Sequence, residues 1–451
     1  MEPNDLKWIK TSFERFTGRF AEVFPRRESG RQMVQYLRAI LLTRQRRTGP
    51  RLATTVGDIR SDKMQRLMYL VNWDADTARD ILQDLVVERL AEDRGVAVLK
   101  QVCFAKKGSG SVGVATQWNP GKGRTENCQI AALLVYVASR AEMILDRGLF
   151  LPERWIQDFG RRQKARVPAS VVYRDMPEIA LSLITRACNR KIPMQWVSGD
   201  EVFGNSFYLR EGIRSLGLGY VFEVSPHTRL WMHRSEPGSS VVAPNGLQHP
   251  AEKHDLWKNP QPVEAAAVTS QCPAGGWWPF SVAGETKGQV RFDWTAEPVF
   301  EDNRGRPGRK AWLVACRPRN KPSTILCHLA CGPTQTPMVE FTRVATTIRT
   351  ADRTIDEARE VAGLDQYHVR LWHSWYRHVT LSMMAYGWLR LAAASGDKIT
   401  RGAPSADLAR CLEAFSLTTT TSERGIRSGL IEKDQMDKYF CRLQTNFNEW
   451  R

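Results

Sequence analysis

The chain predicts an α/β core preceded by a helical region, and three observations carry that expectation. Residues 5 to about 95 repeat apolar side chains at three- and four-residue spacing. Between about 95 and 224, short β-branched runs alternate with amphipathic helical stretches. From 337 to 394 the helical pattern returns.

In the N-terminal region the helical stripe runs through Phe16, Phe20, Val23 and Phe24, then through Met33, Tyr36, Leu37 and Ile40. After Pro50 a short helix, a turn at Gly57, an N-cap at Ser61 and a second amphipathic helix read as a helix-turn-helix. That second helix starts with Lys63 and Arg66, and the approach to it is basic, with Arg44, Arg46, Arg47 and Arg51. A plain helical bundle with a solvated basic face fits the same pattern, so both readings stay open here. Strands are expected over 96–102, 130–138 and 171–173, followed by a helix over 177–188. A strand over 194–198 ends at Gly199-Asp200. A helix over 205–216 and a strand over 220–224 come next. Residues 225–310 break this rhythm with Pro, Gly, Ser and paired tryptophans, and read as an insertion that is β-rich at its far end. Strands over 312–316 and 324–329 precede the long helical stretch, and a basic, mostly helical tail follows Gly402.

A length of 451 residues suggests two or three domains and supports a large core. With 42% hydrophobic and 25% charged residues, the disordered and collagen-like classes fall away. No apolar run approaches the roughly 20 residues of a spanning helix, and residues 1–10 lack a signal-peptide core. The expectation is a cytoplasmic, nucleoid-associated protein with no membrane contact. Nine cysteines, scattered without a framework, read as reduced thiols. Cys327-His328-x-x-Cys331 has a metal-like look but no second pair at finger spacing, and suits a strand and turn better. The formal net charge of +17 points to a polyanionic partner, nucleic acid first. Arginine-rich codon usage is the bland alternative.

Closely spaced motifs then carry a resemblance. They are Phe104-Ala105-Lys106-Lys107-Gly108, Ser111-Val112-Gly113-Val114, Gln117 and Glu126-Asn127-Cys128-Gln129. They resemble the DDE transposases of bacterial insertion sequences, in the group that reads D-E-T-G-F-x-K-K-G, S-V-G-V, R-Q-Y and E-N-C-Q. Further matches follow in order: Leu149 to Trp155, Pro177-Glu178-Ile179-Ala180, and Trp196 to Gly204 against W-V-T-A-D-E-V-Y-G. Gly363 to Tyr367 and Trp375 to Leu381 match the last helices, so the likeness covers roughly residues 15 to 395. It implies a ribonuclease-H-like mixed-sheet core at 95–224 and 311–395. A β-rich insertion at 225–310 interrupts that core, a helical DNA-binding domain at 1–94 precedes it, and a basic tail at 396–451 follows.

In that family three carboxylates hold two Mg²⁺ (or Mn²⁺) ions for DNA cleavage and strand transfer, because hard cations prefer oxygen ligands. The resemblance places the second carboxylate at Asp200, whose alternative role is an N-cap for the following helix. The third, a Glu in the family, falls on Asp352, one methylene shorter. The family's Lys seven residues on falls on Arg359, its preceding Arg on Ile348, and its Glu in L-D-x-Y-E-V-R on His368. The first carboxylate falls on Lys100, and a protonated lysine repels Mg²⁺. His368, His373 and His378 recur every five residues and do not share one helical face.

The expected partner is double-stranded DNA, met by Lys63, Arg66, Lys106, Lys107, Arg349, Arg353, Arg359 and Arg377, with a homodimer open. Three functions compete: a DNA-binding descendant of a transposase with its chemistry lost or crippled, an active transposase using Asp200 and Asp352 with Mg²⁺ or Mn²⁺, and a protein-binding scaffold. The first two are separated by where the Lys100 ammonium points.

Overall fold

Five helices open the chain: α1 (Pro3–Gly18), α2 (Arg27–Leu42), α3 (Gly49–Thr55), α4 (Asp62–Tyr69) and α5 (Ala75–Leu90). The computed structural model describes residues 3–43, 45–58, 61–232, 240–242, 248–250, 261–280, 291–395, 411–413 and 415–416. The rest of the expected 396–451 tail and most of residues 233–260 lie outside the described residues. The apolar stripe of α1 and α2 is buried as its spacing requires, with Phe13, Met33, Leu37 and Ile40 covered. Ser61 does precede α4, but its side chain makes no cap bond. Asp74 is a true cap for α5, accepting from the Asp76 and Thr77 amides.

Four strands follow: β1 (Val96–Ala105), β2 (Ala115–Asn119), β3 (Arg124–Val137) and β4 (Glu142–Leu149). Helices α6 (Glu153–Gln157), α7 (Phe159–Lys164) and α8 (Met176–Asn189) lead to β5 (Trp196–Gly199), α9 (Glu201–Gly204), α10 (Phe207–Ser215) and β6 (Gly219–Val224). Strand β1 is antiparallel to β3 and parallel to β5, β5 is parallel to β6, and β4 lies antiparallel on the far side of β3. The resulting order, β4-β3-β1-β5-β6 with only β3 reversed, is the ribonuclease-H order.

The expected strand at 171–173 is absent. Those residues form a loop whose Pro168, Ala169 and Val171 carbonyls all accept from the Arg162 guanidinium, so a side chain takes the bonds a sheet partner would.

The interrupting segment extends the same sheet. It contributes β7 (Arg229–Met232), β8 (Ser240–Val242), β9 (Gln248–Pro250), β10 (Val263–Glu264), α11 (Ala265–Ser270), β11 (Trp278–Phe280) and β12 (Phe292–Asp302). Strands β13 (Pro307–Pro318) and β14 (Leu326–Cys331) return the chain antiparallel to β6, while β8 and β9 pair only with each other. The fully buried Glu301 anchors this extension: it accepts from Arg210 at 2.8 Å and also from Arg214 and Tyr220.

Two long helices close the fold, α12 (Met338–Ala362) and α13 (Trp372–Ser395). Gly363 ends α12 in the left-handed region at φ 59°, which glycine adopts without a Cβ penalty. The two sheet faces are covered by different helices. A Cβ on Gly148 would meet Ile179 of α8, so the row Gln101–Ala132–Gly148 faces α8. The neighbouring row, with Lys100, faces the other side, where α12 lies.

Many of the motif residues bond to one another. Gln129 donates to the Val112 carbonyl and accepts from Tyr367, whose hydroxyl accepts from Trp375 Nε1. Asn127 donates to the Lys106 and Gly108 carbonyls. These bonds fasten the segment after β1 to the start of α13. Arg147, fully buried, does the same for α5, β4 and α13 through Asp76, Asp146, Ala75 and Thr380.

Candidate functional site

In register, Leu99 of β1 lies beside Gly199 of β5, and Gly199 beside Phe222 of β6. The next row along is Lys100, Asp200 and Glu223, and adjacent strands lie roughly 4.8 Å apart. Because side chains alternate along strands, these three share the face that α12 covers. Gly199 is where Asp200 enters this row: a Cβ there would sit 2.9 Å from the Leu99 carbonyl. Asp200 stands at the N-cap position of α9, but its side chain makes no cap bond there.

Lys100 lies between the acids. Its Nζ is 3.4 Å from Asp200 Oδ2 and 2.9 Å from Asp352 Oδ1. The lysine is nearly buried, Asp200 partly so, and Asp352 on α12 is half exposed. Burial opposes the Lys100 charge, but Asp200 and Asp352 outweigh it and hold the ammonium above the ordinary lysine range. Burial pushes the Asp200 carboxyl up, against Lys100 and the Gln101 amide, which favour its charged form. Two carboxylate oxygens within ion-pair distance keep the ammonium protonated.

Glu223 is not among the residues that the sequence places at the site. Its signal was a lone acid in the apolar run Gly219-Tyr220-Val221-Phe222-Glu223-Val224, but its place beside Asp200 depends on strand register. Burial raises its carboxyl, with Lys100 the leading opposing influence. Gly204 on α9 packs against the Glu223 backbone, and a Cβ there would fall 1.9 Å from the Glu223 carbonyl oxygen. Gly204→Ala is therefore expected to destabilise the fold by about 1–3 kcal/mol, read from the urea midpoint at unchanged m-value. An unchanged midpoint would mean that α9 can shift away from β6 at no cost.

The expected DNA-facing cations divide. Lys107, Arg66 and Arg349 are exposed, Arg349 with its guanidinium 4.2 Å from the Phe292 ring centroid. Lys63 pairs with Asp58 at 3.1 Å and Arg359 with Asp356 at 2.8 Å. Arg353 reaches Glu142 at 3.2 Å. Lys106 sits 3.4 Å over the Tyr367 ring, and burial, aided by Arg46, lowers its pKa to about 8. Arg377 is a correction: it is buried and donates to the Met68 and Trp73 carbonyls, so it cannot meet phosphate. Arg47 is likewise internal, donating to the Glu360 and Val361 carbonyls at the end of α12.

The histidines have separate, structural places. His378 is buried, with Tyr36 and the Gly363 carbonyl as partners, whereas His368 is exposed. On β14, Cys327 and His328 alternate across the strand, and the His328 ring bonds to the Val314 carbonyl.

Fold and site together define a ribonuclease-H-like core in which Asp200 at the end of β5 and Asp352 on α12 are bridged by Lys100. The model of the DDE superfamily endonuclease family matches residues 19–279, and the chain belongs to that family. No curated protein matches the chain. Among solved structures, a piggyBac transposase synaptic complex with hairpin DNA matches at a TM-score of 0.39 and 10% identity, over 97% of this chain and 81% of that one. That likeness is too distant to assign residue roles.

Endonucleases of the superfamily are metal-dependent. Here the residues do not fit a metal pair. The ammonium takes the position between the acids, and among the described residues no group of three or more His, Cys, Asp or Glu is placed to hold an ion. Within this site Asp200 Oδ1, buried and without a hydrogen-bond partner, is an oxygen that a cation would suit. No helix among the described residues is long and apolar enough to cross a membrane.

Proposed function

We propose that the chain is a transposase-like protein that binds double-stranded DNA and whose strand cleavage and strand transfer are lost or impaired. The observation that carries this reading is the Lys100 ammonium held between Asp200 and Asp352. A cation fixed there by covalent attachment neutralises the acids and supplies no Lewis acidity. Such a protein serves as a regulator, an architectural factor or a competitor at transposon ends, or survives as a decayed copy. DNA binding is supported by family membership, by the net charge of +17 and by the exposed Arg66, Lys107 and Arg349. Lys63, Arg353 and Arg359 add charge through partly exposed ion pairs.

With about five phosphates neutralised, the log–log salt dependence of duplex binding should have a slope near −4 to −5. A slope near zero, or no binding at low salt, would remove the DNA-binding reading. Charge reversal of Lys63 and Arg66 should weaken sequence preference most if α4 enters a groove. The cleavage half is tested by incubating the wild-type chain with supercoiled DNA in Mg²⁺ and in Mn²⁺; the expected product is none. The second reading, an active DDE transposase, has the partnerless Asp200 Oδ1 and the adjacent Glu223 in its favour. Nicking by the wild-type chain would decide for it.

A further inference from the structure

At the same end of the sheet as Lys100 and Asp200, the β2–β3 hairpin, α6–α7 and the 165–175 loop form one surface. Strand directions require this: β1, β4 and β5 all end there, and β3 begins there. The parts are tied by specific bonds. Trp155 Nε1 and Arg161 donate to the Val114 carbonyl, and Arg154 to the Thr116 carbonyl. Arg162 holds the loop by its three carbonyls, and Tyr173 packs edge-on against Phe150 at the end of β4.

This tied-down surface presents large aromatics to solvent. Phe159 is 77% exposed, Trp118 57% and Tyr173 47%. Trp118 is on the outer face of β2, where burial alternates residue by residue, so its exposure is built into the strand. The surrounding charge is mostly positive: residues 153–175 hold Arg154, Arg161, Arg162, Lys164, Arg166 and Arg174 against Glu153, Asp158 and Asp175. Among the described residues no carboxylate pairs with Arg154, Lys164, Arg166 or Arg174, and Arg124 on the hairpin is 68% exposed with Glu126 at 3.7 Å.

We infer that this face binds unpaired nucleotides, with Trp118, Phe159 and Tyr173 as stacking platforms and the arginine rim as the phosphate track. Paired bases offer no free face to a flat ring, whereas unpaired ones do, and exposed rings within a cationic rim suit that ligand. An apolar protein partner would leave the cations without counter-charge. The inference rests on the DNA-binding reading and adds a strand preference to it: a duplex is held by the cations, and a melted or frayed segment by the rings.

The test uses the full chain and two fluorescein-labelled probes, an oligothymidylate and a fully paired duplex of equal length, read by anisotropy. The double variant Trp118→Ala/Phe159→Ala should bind the oligothymidylate at least about tenfold more weakly, with duplex affinity unchanged. Trp118→Phe/Phe159→Tyr, which keeps the rings, should restore single-strand binding, and thermal unfolding should be unaltered in both variants. Equal loss on the two probes, or no loss on either, overturns the inference and leaves duplex binding standing. Failure of the wild-type chain to bind either probe overturns the DNA-binding reading as well.

Discussion

Lys100→Asp should be less stable than the wild-type chain in the absence of divalent ions, and should regain stability on adding Mn²⁺ or Mg²⁺. The substitution places a third carboxylate beside Asp200 and Asp352, with Glu223 next in the row, and removes the cation between them. Like charges at strand spacing, partly screened from water, repel strongly. Lys100→Ala leaves the two acids without their counter-charge and should cost about 1–3 kcal/mol; the half exposure of Asp352 keeps the figure below that of a fully buried pair. For Lys100→Asp the loss should be at least as large. Because an ion binds only the folded site, unfolding midpoints should climb with its concentration. Titrating midpoints against Mn²⁺ for wild type and both variants checks this. A wild-type chain strongly stabilised by Mn²⁺ would show that the ammonium yields its place, and the active-transposase reading would lead.

Acid should destabilise the fold steeply through two buried histidines. Burial lowers His378 to about 3, where its ring is placed to accept from Tyr36 and donate to the Gly363 carbonyl as a neutral imidazole. Burial also lowers His328 to about 4. Unfolded, each titrates at an ordinary value near 6.5. Between the two values the unfolded chain binds protons that the folded chain does not. Stability from these groups is therefore complete above about pH 6.5 and is lost as pH falls toward 4. Each contributes roughly 1.4 kcal/mol per pH unit in that window, so about 4 kcal/mol is lost by pH 5 from the pair. Glu357 and Glu360, both raised by burial, act in the opposite sense and blunt the total. Denaturant unfolding from pH 7.5 to 4.5 should show the slope, and His378→Gln or His328→Gln should each remove about half of it. A variant that keeps the full slope would acquit that histidine.

What the sequence determined by itself is local. The three-and-four spacing of Met33, Tyr36, Leu37 and Ile40 sets the buried stripe of α2. The apolar run that stops at Asp200 makes β5, and the motifs after β1 mark the family, because those side chains bond to one another wherever the fold forms. A lysine in the first acid position was equally plain. Only the tertiary structure decided what that lysine does, since its partners lie 100 and 252 residues further along the chain. The parallel register of β1 on β5, and the lie of α12 across them, bring the three charges together. Register also added Glu223 to the row. The same long-range packing removed Arg377 from the DNA-facing set, because a buried guanidinium must satisfy its donors internally and backbone carbonyls were at hand. It left residues 171–173 as a loop, in which the Val171 carbonyl accepts from Arg162 and not from a strand partner. Charge, periodicity and motif order are properties of neighbours in sequence; burial and pairing belong to neighbours in space, and this site is built from the second kind.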